Sequence, residues 1–366
     1  MKKFRLFRTL ILSVCVMTVL TACEDDNSGP APAVPGDNGV YILNEGVFSS
    51  NSAGLTYYNF DTEVTTADIF SLSGTELGNT GQDMLAYGSK LYISVHGSSN
   101  VTVLDLQTGL LLERIDLFNA GAPRAPRYLA SNGGKVYVTA YDGTVSCIDT
   151  TDLAVNKTLA IEGAAHLEGI AAANGKLYVA NGTTKDWVPD NKLYIVDIAT
   201  FTKETTLEVG TNPYIVRADA QGDIYFTHQG NFGVDNGGMQ RIRTKQNNEV
   251  VNVNTGTYLA NRNFTIVESD LYFFGVTAEY PIPTNIYLGW FNTLVEKSGA
   301  AIVLPIIKDN TKIDIPYGIG VNPATRDVFI ANTNYQDDGE VFVFGSNGVK
   351  KTIIPVGINA NNFVFN

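Results

Sequence analysis

The chain is poor in the residues that most often carry chemistry. Its 366 residues include 3 His, 3 Cys, 2 Trp and 4 Met. There is no G-x-S-x-G turn and no G-x-x-x-x-G-K-[ST] loop, which excludes the nucleophile elbow of α/β-hydrolases and the phosphate cradle of P-loop enzymes. His96, His166 and His228 stand far apart without H-x-x-x-H spacing, which argues against a zinc site. Charge is scarce at 17%, and the basic share is the smaller: 25 Lys and Arg against 37 Asp and Glu, net −12 at pH 7. A nucleic-acid binder needs a basic footprint, so that class is set aside. What the chain does have is 44% apolar residues with 35 Gly, 18 Tyr and 18 Phe, a balance that favours strands and tight turns. At this length one compact core has stopped growing, so several domains or a repeat with distributed cores is required.

The first segment reads as an address. Lys2, Lys3, Arg5 and Arg8 precede an apolar run, Leu10 to Leu20, too short to span a bilayer. The run ends Leu20-Thr21-Ala22-Cys23, which resembles the lipobox of bacterial lipoproteins and implies lipidation of Cys23. Residues 1–22 are then a signal peptide, and their loss leaves 21 basic against 37 acidic groups, a charge of −16. Glu24-Asp25-Asp26-Asn27 follows and resembles the surface-export signal of Bacteroidetes lipoproteins. Residues 23–37, rich in Pro and Gly, read as a tether. Cys147 lies in an alternating stretch without a disulfide partner and reads as a strand residue.

Residues 38–366 read as one repeat used seven times. A turn residue, an apolar residue, an aromatic and a further strand former recur, with the aromatic at Tyr41, Tyr92, Tyr137, Tyr178, Tyr225, Tyr272 and Phe329. The steps between them run from 41 to 57 residues, and a period of ~40–50 carrying only strand signals means a β-propeller. Each unit resolves into four short strands, A to D, from the axis outward. Asn132-Gly133-Gly134 and Asn174-Gly175 mark A–B hairpins. The first unit begins at strand B, and the orphan strand near Asn361-Asn362-Phe363 supplies its missing strand A. The expected fold is therefore an all-β, seven-bladed propeller of four-stranded blades, closed three-plus-one by the C-terminal strand.

Strand polarity then locates a working face. If strand A starts at the top, the B–C loops and D–A connections also lie there, and the A–B and C–D turns lie below. Function concentrates on loops held by a rigid scaffold. The top loops bring Phe48, His96, Tyr141, Trp187, His228, Phe232, Tyr280 and Tyr335 to this face. The starts of the A strands bring Asp83, Arg127, Glu168, Tyr214, Asn263, Tyr317 and Asn361 to the axis. Polar groups converging from seven blades beneath a rim of aromatics suit a ligand with a broad body and many hydrogen-bonding groups. These fifteen residues are the candidate ligand-binding set; no catalytic or metal set is expected. An oxygen-only Ca²⁺ site from Asp83, Glu168, Asn212, Asn263 and Asn361 is the enzymatic alternative. It is similar to that of six-bladed gluconolactonase-like propellers, whose narrower axis brings such ligands closer together.

The units Lys90-Leu91-Tyr92-Ile93, Asn100 to Leu106 and Lys192 to Asp197 resemble the YncE-like, surface-layer-type propellers. With the lipoprotein leader, the chain is similar to the cobalamin-capturing surface lipoproteins of Bacteroidetes. The resemblance implies a non-enzymatic protein, lipid-anchored at the outer membrane and exposed at the cell surface. It would capture cobalamin (vitamin B12) as cargo, hold no resident cofactor, and pass the cargo to a TonB-dependent transporter. A glycan-capture protein and a propeller that docks another protein are the competing readings.

Overall fold

The computed structural model describes residues 35–72, 74–231, 235–255, 259–276, 286–299 and 302–366. The lipobox, Phe232 and Tyr280 lie outside them.

Seven four-stranded antiparallel sheets form the body. Their innermost strands are Gly81–Tyr87, Pro126–Asn132, His166–Ala173, Pro213–Ala218, Leu259–Val267, Pro316–Val321 and Ala360–Phe365. We number the blades in chain order, so Ala360–Phe365 belongs to blade 1. There it lies inside Gly39–Asn44, which is followed outward by Gly54–Asn59 and Thr65–Thr66. The ring thus closes as the repeat predicts, three strands from the start of the chain and one from its end.

The core is divided into layers between blades. The repeated aromatic of strand B illustrates this. Tyr92 of blade 2 packs with Val136, Val138 and Ile148 of blade 3, and Tyr178 of blade 4 with Ile224, Phe226 and Ile242 of blade 5. Phe329 of blade 7 packs with Val40, Ile42 and Phe363 of blade 1. A middle strand is covered on both faces, so it reads as a nearly continuous apolar run, as in Lys90–Val95. The outermost strand has one free face and edge, and Ala154–Ala160 is almost wholly exposed. Two short helices, Ile69–Leu72 and Thr293–Lys297, and a small hairpin of Phe118–Asn119 with Ala122–Pro123 decorate the connections.

Every innermost strand is bulged near its start, in all seven blades. The pairing skips Gln82, then Arg127 and Tyr128, Glu168 and Gly169, Tyr214 and Ile215, residues 260–262, Tyr317 and Gly318, and Asn361. A bulge bends the strand and re-aims its side chains. Hydroxyls from strand B fill three of the gaps. Thr139 Oγ1 accepts from the Tyr128 N–H at 3.0 Å and donates to the Glu168 carbonyl of the next blade at 2.7 Å. Ser94 bonds the Asp83 N–H and the Arg127 carbonyl in the same way. Thr227 accepts from the Ile215 N–H at 3.2 Å. Thr139→Val keeps the shape and strands both partners in a dry site. It should cost about 1–3 kcal/mol, read as a lowered urea midpoint, with Thr139→Ser close to wild type.

The chain enters from below. Pro35 lies over Gly109, in the bottom C–D turn of blade 2. The Gly36 N–H donates to Tyr57 Oη at 3.1 Å, and Gln107 Nε2 donates to Asp37 at 2.9 Å. The C-terminal Asn366 side chain donates to the Gly36 carbonyl, so both ends of the body meet at the bottom.

Candidate functional site

The seven innermost strands enclose an axial cavity of about 530 Å³. Their polarity gives it two zones. The upper wall carries Glu45, Gln82, Tyr214, Gln229, Arg262 and Tyr317; the lower wall is Ala86, Ala130, Ile170, Val216, Ile266 and Phe363. The result is a funnel with a polar mouth and an apolar stem.

On one side of the mouth a buried ion pair supports a wall of rings. The Arg127 guanidinium donates to Glu168 at 2.9 Å and to the Gln82 side chain. Tyr141 Oη donates to the other Glu168 oxygen at 2.7 Å, and Arg127 sits 4.7 Å from the Tyr141 ring centroid. Burial raises the Glu168 pKa, and Arg127 and Tyr141 act against that rise. Burial alone would discharge Arg127, but Glu168 and the tyrosines hold it charged. Above this pair stand His96, Tyr141, His166 and Trp187. Edge contacts of 5.0 Å and 4.9 Å join Tyr141 to His96 and His166, and His166 stacks on Trp187 at 3.7 Å and 23°. Burial first, and Arg127 second, push the His96 pKa down to about 4, so its ring is neutral at pH 7. Trp187 is 63% exposed. Its backbone is left-handed, φ 61°.

A second aromatic stands on blade 7. Tyr335 is 47% exposed with φ 68° and meets Tyr317 edge-on at 5.8 Å. The Tyr317 hydroxyl donates to Glu45, whose pKa burial raises. The Tyr335 N–H is held by Thr333 Oγ1, which in turn donates to Asn359 at 2.7 Å. Phe48 projects from the loop of blade 1, 71% exposed.

Several expected residues serve as staples between blades. Asp83 is buried; it accepts from the Leu129 N–H at 2.8 Å and from the Asn362 side chain. Asn263 donates to the Tyr317 carbonyl at 3.1 Å and Asn361 to the Gly81 carbonyl at 3.0 Å. Tyr214 meets Tyr128 edge-on at 5.8 Å across the blade 3 to blade 5 side of the mouth. The oxygen set weighed for Ca²⁺ is thus largely engaged in holding blades together. Among the described residues no group of three or more His, Cys, Asp or Glu side chains converges as a metal site. His228 stands apart from the ring wall; its ring covers Gly210 and Gly238. Cys147 is a buried strand residue.

Arg217 was not foreseen. It lies past the bulge of blade 5, reaches into the cavity, and comes within 4.0 Å of Asp83 on blade 2. A bulge changes which residues face the axis, and nothing in the alternation of Pro213–Ala218 announces it.

The architecture defines the class: a seven-bladed β-propeller with a polar-mouthed axial funnel. Within that class the chain belongs to the family described as "Domain of unknown function (DUF5074)", whose pattern matches residues 38–355. No curated protein matches it. Solved structures of similar fold include Kuenenia stuttgartiensis hydrazine synthase, at 16% identity and TM-score 0.60, covering 76% of this chain and 87% of that one. A putative 6-phosphogluconolactonase from Bacteroides uniformis shares 14% identity at TM-score 0.60, covering 90% of this chain and 100% of that one. Dihydro-heme d1 dehydrogenase NirN, in complex with DHE, shares 12% identity at TM-score 0.54, covering 91% of this chain and 77% of that one. At these identities the likeness is one of fold.

Proposed function

We propose that this protein is a non-enzymatic capture protein whose top face takes a broad ligand with a polar rim. One observation carries the reading. Trp187 and Tyr335 stand exposed on blades 4 and 7, nearly opposite each other around a polar funnel, both with left-handed backbone. That conformation costs a non-glycine residue about 1–3 kcal/mol and persists where the surrounding structure holds it, here as at turn residues such as Leu153 and Phe201. Two rings held out in this way are available to stack on a flat ligand, while Gln82, Gln229 and Arg262 face its polar edge.

The ligand we propose is cobalamin. Its corrin has two broad faces and a rim of amides, which suits this pairing of rings and polar groups. With the leader read from Lys2 to Asn27, the protein would be lipid-anchored at Cys23 on the outer-membrane surface and would deliver its cargo to a TonB-dependent transporter.

The test is co-elution. Purified protein mixed with cyanocobalamin and passed through gel filtration should carry corrin absorbance in the protein peak. Trp187→Ala and Tyr335→Ala should each weaken binding about tenfold at unchanged melting temperature, since a stacked ring contributes about 0.5–1.5 kcal/mol beyond its buried area and 1.4 kcal/mol is tenfold. Corrin left wholly in the small-molecule fraction would remove cobalamin as the ligand. A glycan or a docked protein would then be the occupant to seek, by glycan array and by pull-down.

A further inference from the structure

We infer that the funnel beneath the aromatic rim is a subsite for an anionic group, a phosphate or carboxylate carried by the ligand, held by Arg217 and Arg262. The inference rests on the top-face reading above and names the chemistry of the funnel's polar mouth.

The argument is a tally of donors and acceptors at the mouth. Two carboxylates line the cavity, Glu45 and Asp83. Both already have partners: Glu45 accepts from the Tyr317 hydroxyl, and Asp83 accepts from the Leu129 N–H and the Asn362 side chain. The Gln82 carbonyl oxygen is taken by Arg127, and the charge of Arg127 is matched by Glu168. The carboxylates of the mouth are therefore engaged by the fold, and of the buried amide oxygens lining it Asn361 Oδ1 stands without a partner among the described residues.

The two arginines lining the cavity are matched less fully. Arg217 gives one N–H to its neighbour's carbonyl, Val216, at 3.3 Å, and meets Asp83 across the cavity in a long ion pair of 4.0 Å, which leaves most of its N–H donors without a hydrogen bond among the described residues. Arg262 is exposed, lines the same cavity, and has no hydrogen bond or ion pair among the described residues. They come from adjacent blades, 5 and 6. A guanidinium offers five N–H donors in a planar fork that matches a carboxylate or phosphate. Surplus donors in a confined cavity select a ligand that brings acceptor charge, because such bonds strengthen away from bulk water. The chain as a whole is acidic, so this selection is local to the funnel and opposes the net field.

The test uses inorganic pyrophosphate and citrate as probes, with glucose as the uncharged control, titrated calorimetrically into the full chain. Saturable heat is expected with at least one anion and none with glucose. Preference for pyrophosphate over citrate would assign a phosphate-bearing ligand, and the reverse a carboxylate. Arg262→Gln and Arg217→Gln should each weaken the preferred anion about tenfold. Arg243→Gln, which breaks an outer pair with Glu249, should change nothing. Circular dichroism of each variant separates lost binding from lost fold, and exposed Arg262 carries the decision if Arg217→Gln unfolds. No anion heat up to millimolar concentration, or both arginine variants binding like wild type, would overturn the subsite. The two ideas fail separately. Cobalamin co-eluting with a protein that ignores both anions would sink the subsite and keep the capture reading. Anion binding without cobalamin would do the opposite.

Discussion

Arg127→Met is expected to lower folding stability by about 3–5 kcal/mol, because it leaves a buried carboxylate without its partner. Arg127 and Glu168 are both under 10% exposed, and Glu168 loses its 2.9 Å charge-assisted bond. Only Tyr141 would still donate to it, at 2.7 Å. The same substitution removes the cation beneath the Tyr141 ring, so the wall ending at Trp187 should loosen as well. A urea melt reads the first effect, and tryptophan fluorescence, with only Trp187 and Trp290 contributing, reads the second. The double variant Arg127→Met with Glu168→Leu should recover much of the loss, since an apolar pair of similar volume often replaces a buried ion pair without cost. If the double variant is no more stable than Arg127→Met alone, the destabilisation does not come from an orphaned charge.

Removal of residues 359–366 is expected to abolish cooperative folding. The segment contains the innermost strand of blade 1, with Phe363 and Val364 buried against blades 7, 1 and 2. Two such side chains are worth about 3–6 kcal/mol, against a total stability of about 5–15 kcal/mol for a typical protein. The cut also exposes a long edge on Gly39–Asn44, a template for pairing between chains. The truncated protein should elute as aggregate and show no sharp thermal transition. A synthetic peptide of residues 359–366 should restore the monomer peak. A truncated chain that melts like wild type would mean that the ring does not depend on its closing strand.

Much of the fold could be read because the same pattern recurs. The tyrosine of Lys90-Leu91-Tyr92-Ile93 is one signal, but seven equivalents at similar spacing leave few alternatives, and a unit lacking strand A asks for its partner at the other end. Which connections share a side of the ring was legible because antiparallel strands force consecutive connections to alternate between top and bottom. The site was legible only as a list of addresses. Arg127 and Glu168 lie 41 residues apart, and their pairing follows from bulges on two neighbouring strands, which period-two alternation cannot signal. The same holds for Arg217. The staples Asp83, Asn263 and Asn361 show the converse. Their polar character at a strand start is equally suited to binding a ligand and to bonding the next blade, and here the adjacent carbonyl or N–H lies within reach. The stack of Trp187 on His166 depends on one left-handed residue in a loop, a choice that composition does not reveal.

Strand Gly39–Asn44 is flanked on both sides, by Gly54–Asn59 and by Ala360–Phe365, both antiparallel to it. It is also the first strand after the point where the chain enters at Pro35. A pull along the chain from that end would therefore load two ladders at once, and in shear, where their hydrogen bonds must break together. The closing strand that completes the ring is in this sense also a mechanical clasp. It would let the top face be drawn against a partner without the first blade peeling away.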